Sequence, residues 1–203
     1  MTSKSEIVEQ TTLAFGFIEK LYLEVSYLVK EIEGILGEEK EKFIIGRPSG
    51  YGVSTTRSTG LESNYVMSWM LRKFSVFFVP EDRTKVIGGQ TITLLEQDLK
   101  VLYFRILLND KEISEPLIYS GPLYDIKKKP DIKWTKFEHA MAHLEYRGDQ
   151  IFKNIKPVRH EDAYLSLQGE LIRNNLYDVN NSEKIVKKIV EPSLRLYRKY
   201  KDP

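Results

Sequence analysis

The chain has 203 residues and no cysteine, with 31 lysines and arginines set against 29 aspartates and glutamates. The length fits one domain spanning 1–203 with its own core, and the missing thiol excludes disulfides, thiolate metal sites and a cysteine nucleophile. A formal net charge of +2 excludes a uniformly basic nucleic-acid binder while leaving room for a local basic face.

Residues 1–38 predict one long helix. Ile7, Thr11, Ala14, Ile18, Leu21, Val25, Leu28, Ile32 and Ile35 recur at alternating steps of four and three, which is one face of an α-helix. Phe15, Tyr22, Val29 and Leu36 form a second stripe beside it. Ser3 followed by Glu6 has the spacing of a capping box, and Gly34 and Gly37 supply the stop. Thirty helical residues would extend about 45 Å, so the helix either crosses the whole body or reaches beyond it. The same heptad spacing fits a seam for self-association, making a homo-oligomer through this helix the second expectation.

Residues 41–126 are expected to be mainly strands. EKFIIG is a short strand, and a second covers Phe74 to Val79 before Pro80 ends it. GGQTITLLEQDLKVLYFRILLND is too long for one strand and divides near Glu96 to Leu99. EPLIYSGPLYDI is a further extended segment. In 132–203 the pattern predicts helix, strand, helix. Trp134, Phe137, Met141, Leu144, Ile151 and Ile155 give a helical stripe, Leu165, Leu167 and Leu171 alternate as in a half-buried strand, and the C-terminal helix is interrupted or restarted at Pro192. The order predicts an α+β fold: a mainly antiparallel sheet carrying a long N-terminal helix and packed C-terminal helices. PLIYSGPLYDI and ELIRNNLYDV echo one another, with Asp125 and Asp178 expected at turns or helix entries.

Between the first two strands lies RPSGYGVSTTRSTGLE, residues 47–62. It has glycines and hydroxyls but neither the Gly-Lys-Ser/Thr ending of a P-loop nor the glycine spacing of a dinucleotide fold. Arg47, Tyr51, Arg57, Ser58 and Thr59 are residue types that hold anions and partner surfaces. They are the candidate ligand- or partner-binding residues.

His139 and His143 are four apart on one helical face, almost opposite the apolar stripe and beside Ala142 and Tyr146. The expectation is a solvated face, His139 to Tyr146, available to a partner. Such a pair can also chelate zinc, with His160 and then Glu161 or Asp162 as further ligands, although HAMAH lacks the glutamate of a zinc-protease helix. Asp82, with Glu96, Asp98 and Lys100 further on, has the loose outline of a metal-dependent nuclease, in which carboxylates hold the ion and lysine steadies water or phosphate. Lys127, Lys128 and Lys129, with the lysines and arginines from 184 to 201 and the interleaved Tyr197 and Tyr200, are a third possibility, for nucleic acid.

The reading that best fits all of this is a non-catalytic cytoplasmic interaction module. It recognises a protein partner or anionic ligand through 47–62 and the His139–Tyr146 face, and it needs no cofactor. The alternatives are a metal-dependent hydrolase, a nuclease in particular, and a nucleic-acid binder. The start MTSKSEIVEQ lacks the basic-then-apolar order of a secretory leader, and no apolar run reaches the length of a membrane span.

Overall fold

The computed structural model describes residues 3–46, 71–95, 99–110 and 113–200. Its first element is α1, Lys4–Gly37. The capping box forms as expected: the Ser3 hydroxyl accepts from the Glu6 amide at 3.3 Å, and the Ser3 amide donates to the Glu6 carboxylate at 2.6 Å. Burial starts only at Val25 and continues through Leu28, Val29, Ile32 and Leu36. Every residue from Ser3 to Phe17 is exposed. One end of the helix thus packs on the body and the other projects about 20 Å beyond its packed part.

Among the described residues, nine strands follow or interleave with the remaining helices: β1 Phe43–Gly46, β2 Lys73–Pro80, β3 Thr84–Ile87, β4 Gln90–Thr93, β5 Val101–Leu107, β6 Leu117–Lys128, β7 Val158–Glu161, β8 Leu165–Gly169 and β9 Ile172–Asn175. The main sheet is ordered β1-β2-β5-β6-β8-β7, with β9 pairing the first part of β6. All its pairings are antiparallel. The fold is α+β, with a mainly antiparallel sheet, a long N-terminal helix and C-terminal helices packed on the sheet.

β5 occupies the middle of the sheet, and each of its seven residues is buried. Alternation divides them between two faces. Leu102, Phe104 and Ile106 join Val76 and Phe78 of β2 in a core closed by α1 and the C-terminal helices. Val101 and Tyr103 join Phe77 and Val79 in a second core closed by α2, Phe137–Ile151. The sheet is therefore sandwiched between helices.

The C-terminal segment is continuous: α3 Ser182–Ile185, a π turn Val186–Val190, and α4 Glu191–Lys199. Pro192 does not break it. Proline has no N–H for the carbonyl one turn earlier and crowds it; here the helix widens ahead of Pro192, and the Asn174 side-chain amide on β9 donates to the Lys188 carbonyl at 3.0 Å. α4 is fixed to the sheet by a buried Ser193–Ser120 hydrogen bond of 2.9 Å.

The strands depart from the sequence expectation in three places. The β3–β4 hairpin turns on Gly88 and Gly89, both at positive φ, a Gly-Gly signal that also announces a tight hairpin in sequence. β7 is an additional edge strand. DAYLSLQGELIRNNLYDV divides into β8, β9 and a short 3-10 turn, because Glu170 and Leu171 step the chain from one part of β6 to another. The echo is not a repeat: Asp125 sits inside β6 with φ 52°, where the register with β8 shifts, and Asp178 lies in the 3-10 turn. No helix among the described residues is long and apolar enough to cross a membrane.

Candidate functional site

His143 lies on α2, His160 on β7, and Asp162 in the turn from β7 to β8. Pairing β7 to β8 and closing α2 over that edge brings the three together. Nε2 of His143 is 2.6 Å, and Nε2 of His160 3.0 Å, from the same carboxylate oxygen, Oδ2 of Asp162. The other oxygen, Oδ1, accepts from the backbone amides of Tyr164 at 2.8 Å and Leu165 at 2.9 Å. That Asx-type turn fixes the carboxylate and aims Oδ2 at both imidazoles. Side-chain exposures are 12% for His143, 15% for His160 and 23% for Asp162. Burial acts to raise the Asp162 carboxyl, but hydrogen bonds from His143, from the Leu165 and Tyr164 amides and from His160 together hold it well below the usual carboxylate range.

Aromatic rings wall this group. Tyr164 and Trp134 stack with centroids 5.8 Å apart, and the His143 ring is 4.6 Å from Tyr164 and 5.7 Å from Trp134. The expected solvated histidine face is thus divided. His139 and Tyr146 are exposed, whereas His143 turns inward and is bonded. Of the two acids following His160, Asp162 joins the group and Glu161 instead pairs with Lys129. His139 takes no part in the cluster.

A second polar group, which the sequence reading missed, lies under α2. Arg105 of β5 has a side chain only 2% exposed. Its Nη2 donates to Asp149 at 2.8 Å, and its Nη1 lies 3.6 Å from Glu145. Lys73 pairs with Asp149, while the Ser75 hydroxyl meets Glu145 and, at 2.8 Å, the Tyr103 hydroxyl. Burial pushes the Tyr103 phenol up to about 12. The sequence signal was available: an arginine inside VLYFRILL needs buried acids, and Glu145 and Asp149 are spaced to share a helix face.

Asp82 and Lys100, from the nuclease outline, line one cleft of about 610 Å³ together with Lys42, Arg83 and Tyr200. Lys100 donates to the Tyr200 carbonyl at 2.7 Å and sits 4.3 Å above the Tyr197 ring. Glu96 and Asp98 lie outside the described residues, as do Arg47, Tyr51, Arg57, Ser58 and Thr59 of the 47–62 segment. Of the basic candidates, Lys127 and Lys129 at the end of β6 pair with Asp125 and Glu161, and in the C-terminal helices Lys187 pairs with Glu183, Lys188 with Asp178, and Arg198 with Glu39 and Glu41. Tyr197 is buried and Tyr200 stacks on Tyr124. Those rings are engaged within the fold.

No family model, curated protein or solved structure matches this chain.

Proposed function

We propose that the chain is a non-catalytic interaction module whose projecting half of α1 is its docking element, and that the element docks on a second copy of itself. One observation carries this reading: Ile7 and Phe15 are 52 and 64% exposed on a helix whose later turns bury the same two apolar lines, at Ile32 for the first and at Val29 and Leu36 for the second. A helix apolar on several sides is normally covered. An isolated segment of this length is also marginal as a helix in water, and Gly16 lowers its propensity further.

Three further features favour a second copy. The spacing of Ile7, Thr11, Ala14, Ile18 and Leu21 suits knobs-into-holes packing. Antiparallel pairing about Ala14 sets Ile7 of one copy opposite Leu21 of the other and Lys4 opposite Glu24, one apolar and one oppositely charged pair at each end of the seam. Where α1 joins the body, an apolar groove of about 570 Å³ lined by Phe17, Leu21, Val25, Leu28 and Leu176 is placed to receive the first turns of the partner helix. A surface rich in lysine and arginine, which an anionic membrane would favour, is absent between Ser5 and Glu19. Recognition of an anionic ligand or protein partner by Arg47, Tyr51, Arg57 and the His139–Tyr146 face remains part of the proposal, on the chemistry of those residues.

Sedimentation over a dilution series tests the docking. A dimer is expected that dissociates on dilution and becomes a monomer in Ile7→Glu and Ala14→Glu without loss of the folded body. Because the chain has no cysteine, Ile7→Cys with Leu21→Cys should cross-link two copies, while Ile7→Cys alone should not. A monomer at every concentration overturns the reading. Cross-linking by Ile7→Cys alone overturns the antiparallel register.

The second reading is a metal-dependent hydrolase, supported by the shared cleft of Asp82 and Lys100. The structural bonds of Lys100 to Tyr200 and Tyr197 weigh against it. Nuclease activity that needs a divalent ion and disappears in Asp82→Asn would favour it over the first.

A further inference from the structure

We propose that His143, His160 and Asp162 form a binding site for one first-row divalent cation, with zinc the best match, held by three protein ligands and one water. The argument starts from convergence. Three side chains from a helix, a strand and a turn direct one donor atom each to a common point, and the donor atoms all lie within 4.8 Å of one another. A zinc ion binds imidazole nitrogen and carboxylate oxygen at about 2.0–2.2 Å, so tetrahedral ligands stand about 3.4 Å apart. The two contacts to Oδ2, now 2.6 and 3.0 Å, need to open by less than about 1 Å.

The support behind the ligands also resembles that of a metal centre. Oδ1 of Asp162 is occupied by the Tyr164 and Leu165 amides. Ligating carboxylates are commonly held in this way, with one oxygen bonded to the protein and the other free for the ion. The Trp134 and Tyr164 rings pack beside His143. Two nitrogens and one oxygen make a borderline donor set. It suits zinc, and also nickel and copper, above magnesium or calcium, which prefer all-oxygen shells. Both histidines must present an unprotonated Nε2 to ligate.

The fold gives the ion a consequence. The site joins α2 to the β7–β8 edge, and a bound cation cross-links them. It does so without using the docking helix, so the proposal stands independently of the reading of α1.

Titration calorimetry of the full chain, freed of metal by chelation, with zinc chloride is the direct test. We expect one ion per chain, a melting temperature raised by zinc and not by magnesium, and at least a 100-fold loss of affinity in both His160→Gln and Asp162→Asn. His139→Ala, outside the cluster, should bind as the parent does. Trp134 supplies a separate readout. With Trp69→Phe leaving it the sole tryptophan, nickel should quench its fluorescence in the parent and not in His143→Gln. If His143→Gln fails to fold, His160→Gln, at the strand end of the site, gives the same comparison. Absence of stoichiometric zinc binding by the parent overturns the proposal. So does binding that survives both His160→Gln and Asp162→Asn, or that is lost in His139→Ala.

Discussion

Gly148→Ala isolates the buried Arg105 network in a single methyl group. Helix propensity alone favours alanine by about 1 kcal/mol at an interior helical position. The structure predicts the opposite sign. A Cβ built on Gly148 stands 2.5 Å from Cζ and 2.7 Å from Nη2 of Arg105, and closer still to Nη1. The guanidinium has little room to retreat, since Asp149 holds it on one side and the Phe152 ring lies 5.7 Å from Cζ. Relief requires α2 to lift or the ion pair to lengthen. Overpacking strain costs about 1–3 kcal/mol, and a lost charge-assisted hydrogen bond about 1.5–3 kcal/mol. Taken together and set against the propensity gain, they leave a net loss of about 1.5–5 kcal/mol. Urea unfolding followed by circular dichroism measures it, provided the slope with denaturant is unchanged. The decisive comparison is the same substitution in Arg105→Met, where the guanidinium is gone and alanine should be neutral or stabilising by up to about 1 kcal/mol. Stabilisation of the parent by Gly148→Ala, or an equal cost in both backgrounds, would refute the reasoning.

The two halves of α1 should respond differently: Leu28→Ala should cost about 2–5 kcal/mol, while Leu13→Ala in dilute protein stays within about 0.5 kcal/mol, both read from urea midpoints. Asn174→Ala leaves the Lys188 carbonyl without its side-chain donor and should cost about 1–2 kcal/mol; the loss should shrink in Pro192→Ala, where a backbone N–H returns, as thermal unfolding of the two pairs can establish. Burial acts to raise the Asp149 carboxyl, but Lys73 and Arg105 outweigh it and hold it below its usual value. Its contribution to stability is therefore complete above the unfolded pKa of about 3.9 and disappears as the pH falls through the lower folded value. Midpoints should decline below about pH 4, more shallowly in Asp149→Asn, with a modest difference because the carboxylate is partly solvated.

Periodicity made the strongest elements legible in sequence. The capping box, the alternating steps along α1, the aromatic run of β2 and the gap between β4 and β5 all depend on neighbours a few residues away, and that is what a linear pattern records. The pattern could not show where α1 leaves the body: Ile7 and Ile32 occupy one heptad line, yet only Ile32 meets the sheet. Short edge strands such as β7 were equally hidden, since four residues carry too little alternation. In the histidine group, the shared face of His139 and His143 suggested that the two would act together. Tertiary packing separated them, because the strand carrying His160 and the turn carrying Asp162 lie against one side of α2. The spacing of His143 to Asp162 contains no short motif; it is set by the β7–β8 hairpin. Arg105 was the opposite case, a legible anomaly within an apolar strand that composition alone could have flagged.

The two faces of the sheet also differ in when the chain can complete them. The core beneath α2 draws on buried residues from Phe77 to Leu171, whereas the opposite core extends from Val25 to Tyr197. During vectorial synthesis from the N-terminus, the α2 side has all its parts while α3 and α4 are still inside the ribosome. Phe78, Phe104, Ile106 and Ile118 meanwhile await Ile189, Val190 and Leu194, which are made after them. The nascent chain therefore passes through an interval with one side sealed and the other greasy. That interval is when a chaperone would hold it, and when a pause in translation would favour aggregation over completion.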